Sequence, residues 1–392
     1  MTNPATPQIV GWAHSKFGKA PEGDVEQLIA STVPEALDHA GITASDVDGI
    51  FVGVYNNGFS RQAFEGALVG MAVPELAYVP SVHLENACAT GSAALYAALD
   101  FIAAGRGRIA LVVGAEKMSA TPGVEVGDIL LTAAYRAEEG EIDGGFAGVF
   151  GQIANRYFQA HGDQSRELAM IAAKNHTNGA RNPFAHMQKD LGVDFCNTVS
   201  DRNPIVAGPL RRTDCSLVSD GAAVLVVAHP DVAADMRRAI GFRARNQVND
   251  VLALSRRDPT EFAGARGAWA KSLDEAGLTL DDLSLVETHD CFTIAELLEY
   301  EAMGLAPRGQ GGRVIRDGIT TRDGKLPVNL SGGLKSRGHP LGATGVSQHV
   351  MAAMQLAGDA GDMQLDGAAL AGVFNMGGAA VANYVSILER VK

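Results

Sequence analysis

Glu35-Ala-Leu-Asp-His-Ala-Gly-Ile-Thr43 is echoed far downstream by Ser272-Leu-Asp-Glu-Ala-Gly-Leu-Thr279. The first stretch leads on to Asp46, Val47 and Ile50, and the second to Asp282, Leu283 and Val286 at the same spacing. Each reads as the end of an amphipathic helix, a glycine C-cap, a Thr-to-Asp turn and then an apolar strand. A looser echo follows. Gly91-Ser-Ala-Ala-Leu95 opens one small-residue helix and Gly345-Val-Ser-Gln-His349 opens another, each ahead of an apolar run, Ile109–Val113 and Ala368–Phe374. Repetition of this kind predicts two similar βα-rich halves, 1–235 and 236–392.

Strands are expected at Gly49–Val54, Ile109–Gly114, Ala222–Ala228, Ser284–Glu287 and Ala368–Phe374. These runs are continuously apolar instead of alternating, which fits sheets covered by helices on both faces. The first half is the longer one. Its excess, about 119–215, is rich in Gly, Glu, Asn and His and is expected to be an inserted loop subdomain that covers a ligand, with helical stretches at Gly151–Ala160 and Arg166–Gly179.

The 392 residues carry an apolar fraction of 46% and a net charge of −13. The apolar content suits a large core and excludes disorder as the main state. The charge disfavours nucleic acid and anionic membrane as partners, so a phosphorylated ligand needs a local basic patch. No apolar run approaches the ~20 residues of a membrane span. No basic-then-apolar leader stands in the first 25 residues. Four scattered cysteines (Cys88, Cys196, Cys215, Cys291) point to free thiols in a reducing compartment, and the cytoplasm is the expected location.

Four motifs could carry chemistry. In Asn86-Ala-Cys88-Ala-Thr-Gly91, a cysteine among small residues precedes a helix, where the dipole and free amides are expected to favour the thiolate. Gly332-Gly-Leu-Lys-Ser-Arg-Gly-His339-Pro340-Leu-Gly-Ala-Thr-Gly345 places one histidine in a glycine-rich loop, suited to a base or an oxyanion donor. Thr288-His289-Asp290-Cys291-Phe292 follows a strand, at the end where α/β sites gather. Val373-Phe-Asn375-Met-Gly377-Gly378 exposes backbone amides after another strand. A metal site is not expected, because adjacent His, Asp and Cys cannot all face one ion and no second Cys/His pair follows.

In this order the motifs resemble the thiolase superfamily, and within it the sterol-carrier-protein type. Arg212-Thr-Asp-Cys-Ser-Leu-Val-Ser-Asp220 and Lys174-Asn-His-Thr-Asn-Gly-Ala-Arg-Asn-Pro183 look like that family's loop subdomain, so the resemblance spans nearly the whole chain. It implies an α/β fold of duplicated βαβαβ halves, layered α/β/α/β/α, and the internal repeat itself predicts two superposable five-stranded halves packed through helices. Two departures from most thiolases stand out. His289 occupies the place of an asparagine, and Asn375 the place of a second catalytic cysteine. The sterol-carrier type shares the swap, with its second thiol moved to the His-Asp-Cys-Phe motif, which Cys291 fits.

The resemblance implies an acyltransferase (acetyl-CoA C-acyltransferase or acetyltransferase) of fatty-acid or sterol side-chain metabolism. Cys88 would attack the keto carbon of a 3-ketoacyl-CoA and His339 would take its proton. The amides of Cys88 and Gly377 would hold one oxyanion, and His289 with His339 the enolate that leaves. Cys291 would move the second proton. Coenzyme A is then a substrate, and no tightly bound cofactor is expected. Lys174, Arg181, Arg211, Arg212 and Asn375 are candidate substrate contacts. Partners expected from the family are acyl-CoAs and a second copy, in a homodimer or tetramer, and a small accessory protein in some members. Three competing readings remain. One is a ketoacyl-synthase-like condensing enzyme, against which Cys291 argues. Another is a retro-aldol lyase with a partner subunit, against which Cys88 argues. The third is an acyl-CoA-binding protein with a decayed site.

Overall fold

The computed structural model describes residues 6–20 and 23–392. Its main sheet is built from β1 (Gln8–His14), β2 (Gly49–Gly53), β3 (Ser81–Leu84), β4 (Ile109–Glu116), β7 (Gly221–Ala228), β8 (Ile240–Asn249), β9 (Leu285–Glu287), β10 (Leu370–Gly377) and β11 (Ala382–Arg390). A separate hairpin joins β5 (Ile205–Ala207) and β6 (Leu210–Arg211). The strand order is β3-β2-β4-β7-β1-β8-β11-β10-β9.

That order is symmetrical about its centre. Reading outward, β1, β7, β4 and β2 are matched by β8, β11, β10 and β9. The two runs touch through a single pair, Ile9 with Ile240. Five strands were expected in each half, and the second half has four. The partner of β3 is reduced to one parallel bridge between Val286 and Val328. The chemistry explains the loss. Pro327 has no N–H to give a ladder, and Asn329 turns left-handed at φ +57°, so no strand can extend either way.

The repeated sequence also folds alike. The helix Val25–Ala40 ends on Gly41 at φ +74°, and the helix Ala263–Ala276 ends on Gly277 at φ +65°. Both positions need the left-handed conformation that glycine adopts at no steric cost. The next turn is closed by the same contacts: Thr43 N–H to Asp46 Oδ2 at 2.8 Å, and Thr279 N–H to Asp282 Oδ2 at 2.7 Å.

These helices form the outer layers, Val25–Ala40 on β1, β4 and β7, and Ala263–Ala276 on β8 and β11. The middle layer is a helix pair, Thr90–Ala103 and Leu341–Ala357, packed on each other and on the sheets at either side. The layers therefore run α/β/α/β/α. They cover both faces, which is why β4 and β7 are buried along their whole lengths although they run antiparallel. The two central helices come unusually close. A Cβ on Gly91 would lie 2.7 Å from Val346 N, and one on Gly345 would lie 2.4 Å from Ser92 N.

Residues 119–215 fold mostly as helices, the longest being Gly145–His161 and Ser165–Gly179. Among the described residues no helix is long and apolar enough to cross a membrane.

Candidate active site

Two of the expected residues occupy matching places. Cys88 stands two residues before Thr90, where the first central helix starts, and His339 two residues before Leu341, where the second starts. His289 and Cys291 follow β9, and Asn375 lies within β10. The layers bring these distant stretches together. One side-chain atom each from Cys88, His289 and His339 falls within 4.8 Å of the others. The two imidazoles meet edge to face, with centroids 5.1 Å apart and planes at 83°. The Cys291 sulfur lies close enough to Cys88 that a thiolate at one disfavours a thiolate at the other. Exposure is slight: 4% at Cys88, 3% at Cys291, 6% at His339 and none at His289.

Burial governs the charges. It pushes the Cys88 thiol up to about 12, against the pull of the Gly378 amide and with the push of Glu116. This overturns the expectation that the helix terminus would favour the thiolate. The amides at the sulfur do lower its pKa, but the loss of water outweighs them. Burial, with the Arg337 guanidinium adding to it, lowers His339 to about 3. Burial likewise drives His289 well below its ordinary value, with His339 and Arg337 contributing, and raises Cys291. The resting site is thus thiol and neutral imidazole, not thiolate and imidazolium. The amide that meets the Cys88 sulfur belongs to Gly378, one residue beyond the expected Gly377.

The wall around Cys88 is apolar: Tyr55, Phe59, Met118, Val126 and Leu341 pack against it. Part of that wall comes from the 119–215 segment through Val126, Leu130 and Ala133. On the Cys291 side, Phe292 stacks on Phe150 at 4.5 Å.

Several expected substrate contacts prove to be structural. Lys174 is buried, 2.9 Å from Glu296 Oε1 and 2.8 Å from the Val328 carbonyl. Arg211 is buried against Asp214 at 2.8 Å and also donates to the Ser165 carbonyl. Neither cation is free to meet a phosphate. Asn375 is fully buried, and its hydrogens go to the Cys88 carbonyl at 3.1 Å and to His289 Nδ1 at 2.9 Å. Arg181 and Arg212 stay on the surface.

Two residues shape the site in ways the sequence did not reveal: Glu116, which no motif included, and Asp290, which was quoted in a motif but given no role. Glu116 accepts from the amides of Tyr55, Asn56 and Gly342, tying the end of β2 to the start of the second central helix. Its carboxyl is raised to about 7 by burial. An acidic residue at the end of an unbroken apolar run was its signal. Asp290 accepts from the Leu334 and Lys335 amides at 2.6 and 3.1 Å, so it holds the Gly333–Arg337 turn that leads to His339.

Comparison with known proteins places this arrangement. A model described as the N-terminal domain of thiolase matches residues 8–231, and one described as thiolase C-terminal domain-like matches 246–390. The chain belongs to the thiolase family. Among its thiolase-family relatives is an acetyl-CoA acetyltransferase of Methanothermobacter thermautotrophicus, 34% identical, aligned over 97% of this chain and 99% of that one. Human sterol carrier protein 2 is 31% identical over 94% of this chain and 69% of its own length. The benzoylsuccinyl-CoA thiolase subunit BbsB of Thauera aromatica is 30% identical over 89% of this chain and 88% of its own. Human mitochondrial 3-ketoacyl-CoA thiolase, solved in complex with CoA, shares the fold at a TM-score of 0.77 and 17% identity, over the whole of both chains. A Ltp2-ChsH2(DUF35) aldolase shares it at a TM-score of 0.82 and 20% identity, over 100% of this chain and 99% of the other. At those identities the likeness extends to the thiolase fold alone.

Proposed function

We propose that this protein is a thiolase acting on 3-ketoacyl-CoA, with Cys88 as the acylated nucleophile. The convergence of Cys88, His289 and His339 within 4.8 Å, with the Cys291 thiol near enough to feel the charge at Cys88, carries the reading. Cys88 attacks the keto carbon as His339 takes its proton. Because both groups are neutral at rest, transfer accompanies attack instead of preceding it. The alkoxide is held by the Cys88 and Gly378 amides, the two that face the Cys88 sulfur. Cleavage of the C2–C3 bond then releases an acetyl-CoA or propionyl-CoA enolate, whose oxygen meets His289 and His339. Cys291 protonates the enolate carbon and afterwards takes the proton of the incoming CoA thiol. Run backwards, the same steps join two acyl-CoAs.

Arg181 and Arg212 are the remaining proposed contacts to CoA. The domain plan proposed is 1–235 and 236–392, with 119–215 as the covering subdomain. A homodimer is proposed through β3, whose outer edge has no partner strand among the described residues and is flanked by exposed Phe64, Met71, Tyr78 and Val82. Four free cysteines suit a reducing cytoplasm. The test is an acyl-CoA incubation followed by intact mass. The wild-type protein should gain one acyl group, and Cys88→Ala should gain none. The same adduct on the variant would refute the assignment.

A further inference from the structure

Among the described residues, His289 Nε2 is a buried nitrogen with no hydrogen-bond partner, and it belongs to the ring nearest His339. What that nitrogen presents depends on its tautomer, and the tautomer can be read from the partners of Nδ1. Asn375 Nδ2 lies 3.1 Å from the Cys88 carbonyl oxygen. A carbonyl can only accept, so the atom facing it must be the amide nitrogen. The other side agrees, since Asn375 Oδ1 accepts from Ser92 Oγ at 2.7 Å. The second hydrogen of that nitrogen points to His289 Nδ1 at 2.9 Å, which must therefore accept. The neutral ring then carries its hydrogen on Nε2.

His339 is held the other way. Its Nδ1 lies 2.7 Å from Thr344 Oγ1. The single hydroxyl hydrogen of Thr344 goes to the Pro340 carbonyl at 2.8 Å. Thr344 must therefore accept from His339 Nδ1–H, and His339 Nε2 is left bare.

We propose that Asn375 and Thr344 are positioning residues that fix opposite tautomers on the two imidazoles, so that His289 offers the pocket an N–H and His339 a lone pair. The inference deepens the thiolase reading and depends on it for its kinetic consequence, though not for the tautomers themselves. It divides the labour: His339 can take a proton from Cys88, while His289 can only donate to an oxyanion. It also explains why the three-atom cluster suits no metal ion. A cation needs a bare Nε2 on both rings, and the Asn375 amide group against Nδ1 opposes that on His289. Asn375 becomes the part that orients His289.

The test is nitrogen NMR on the full chain labelled with ¹⁵N-histidine, with the two rings assigned by loss of signal in His289→Gln and His339→Gln. His289 should show a pyridine-type Nδ1 and a pyrrole-type Nε2, and His339 the reverse. Thr344→Val should mix the tautomers of His339 and slow acylation of Cys88 by about tenfold or more with little change in substrate affinity, whereas Thr344→Ser should keep both near wild type. Asn375→Asp should move the His289 hydrogen to Nδ1. Should that variant fail to fold, the wild-type spectrum and the Thr344 pair still decide. The same tautomer on both rings, or a Thr344→Val spectrum like wild type, would overturn the inference. Opposite tautomers without any acyl group on Cys88 would instead overturn the thiolase reading and leave the inference standing.

Discussion

Cys291 and the imidazoles show how burial assigns roles to single residues. Cys291→Ser keeps size and a hydrogen but loses the thiol's acidity. Acylation of Cys88 should survive in this variant while steady-state turnover falls by about a hundredfold or more. Stopped acylation would place Cys291 in the first step instead. The pH profile separates the same ideas. With His339 lowered to about 3, the base stays neutral across the ordinary histidine range. Acylation measured in single turnover should therefore be flat from pH 7.5 to 5.5, and a halving near pH 6.5 would show an imidazole titrating as if free. Cys88, His289 and His339, all named from the sequence, do come within 4.8 Å of one another. The sequence misjudged Lys174 and Arg211, because a letter for a cation does not say that Glu296 or Asp214 lies opposite it. It also misjudged the charge on Cys88, because a helix terminus is visible in a sequence and the depth of its burial is not.

At the scale of elements, glycine marks where backbones must touch. Gly345 lies where a Cβ would sit 2.4 Å from both Ser92 N and Asn375 Oδ1. Gly345→Ala should cost about 1–3 kcal/mol by overpacking and should also disturb the Asn375 contacts. The check is a urea titration paired with acylation kinetics, with activity expected to fall further than stability explains. Gly41→Ala meets no atom but is strained at φ +74°, so it should cost only about 1 kcal/mol and leave acylation unchanged. The repeat made these helix ends and caps legible. β8 and β11 were not legible, since their apolar positions are interrupted by polar ones such as Arg243, Arg245 and Asn383. The missing fifth strand of the second half was hidden for a different reason: a proline and a left-handed asparagine act only once pairing is attempted.

For the whole molecule, acid is the expected weakness. Seven histidines have lowered pKa values: His14, His39, His176, His186, His289, His339 and His349. Each binds a proton less readily folded than unfolded, so its stabilising effect is present above about pH 6.5 and is lost as pH falls. The raised carboxyls Glu116, Asp290 and Glu299 work in the opposite sense, but among the described residues they are only three. Tm should therefore drop steadily between pH 6.5 and 4, with net proton uptake on unfolding. A Tm that rises over that window would contradict the buried neutral histidines.

The placement of Cys88 and His339 at equivalent helix starts has one last consequence. On the roles proposed above, neither repeat would contain a working centre, because the nucleophile would come from one copy and its base from the other. Catalysis by that route would measure the seam between the copies. A slip of the paired central helices by one turn, about 5.4 Å, would part sulfur from imidazole while leaving each sheet intact.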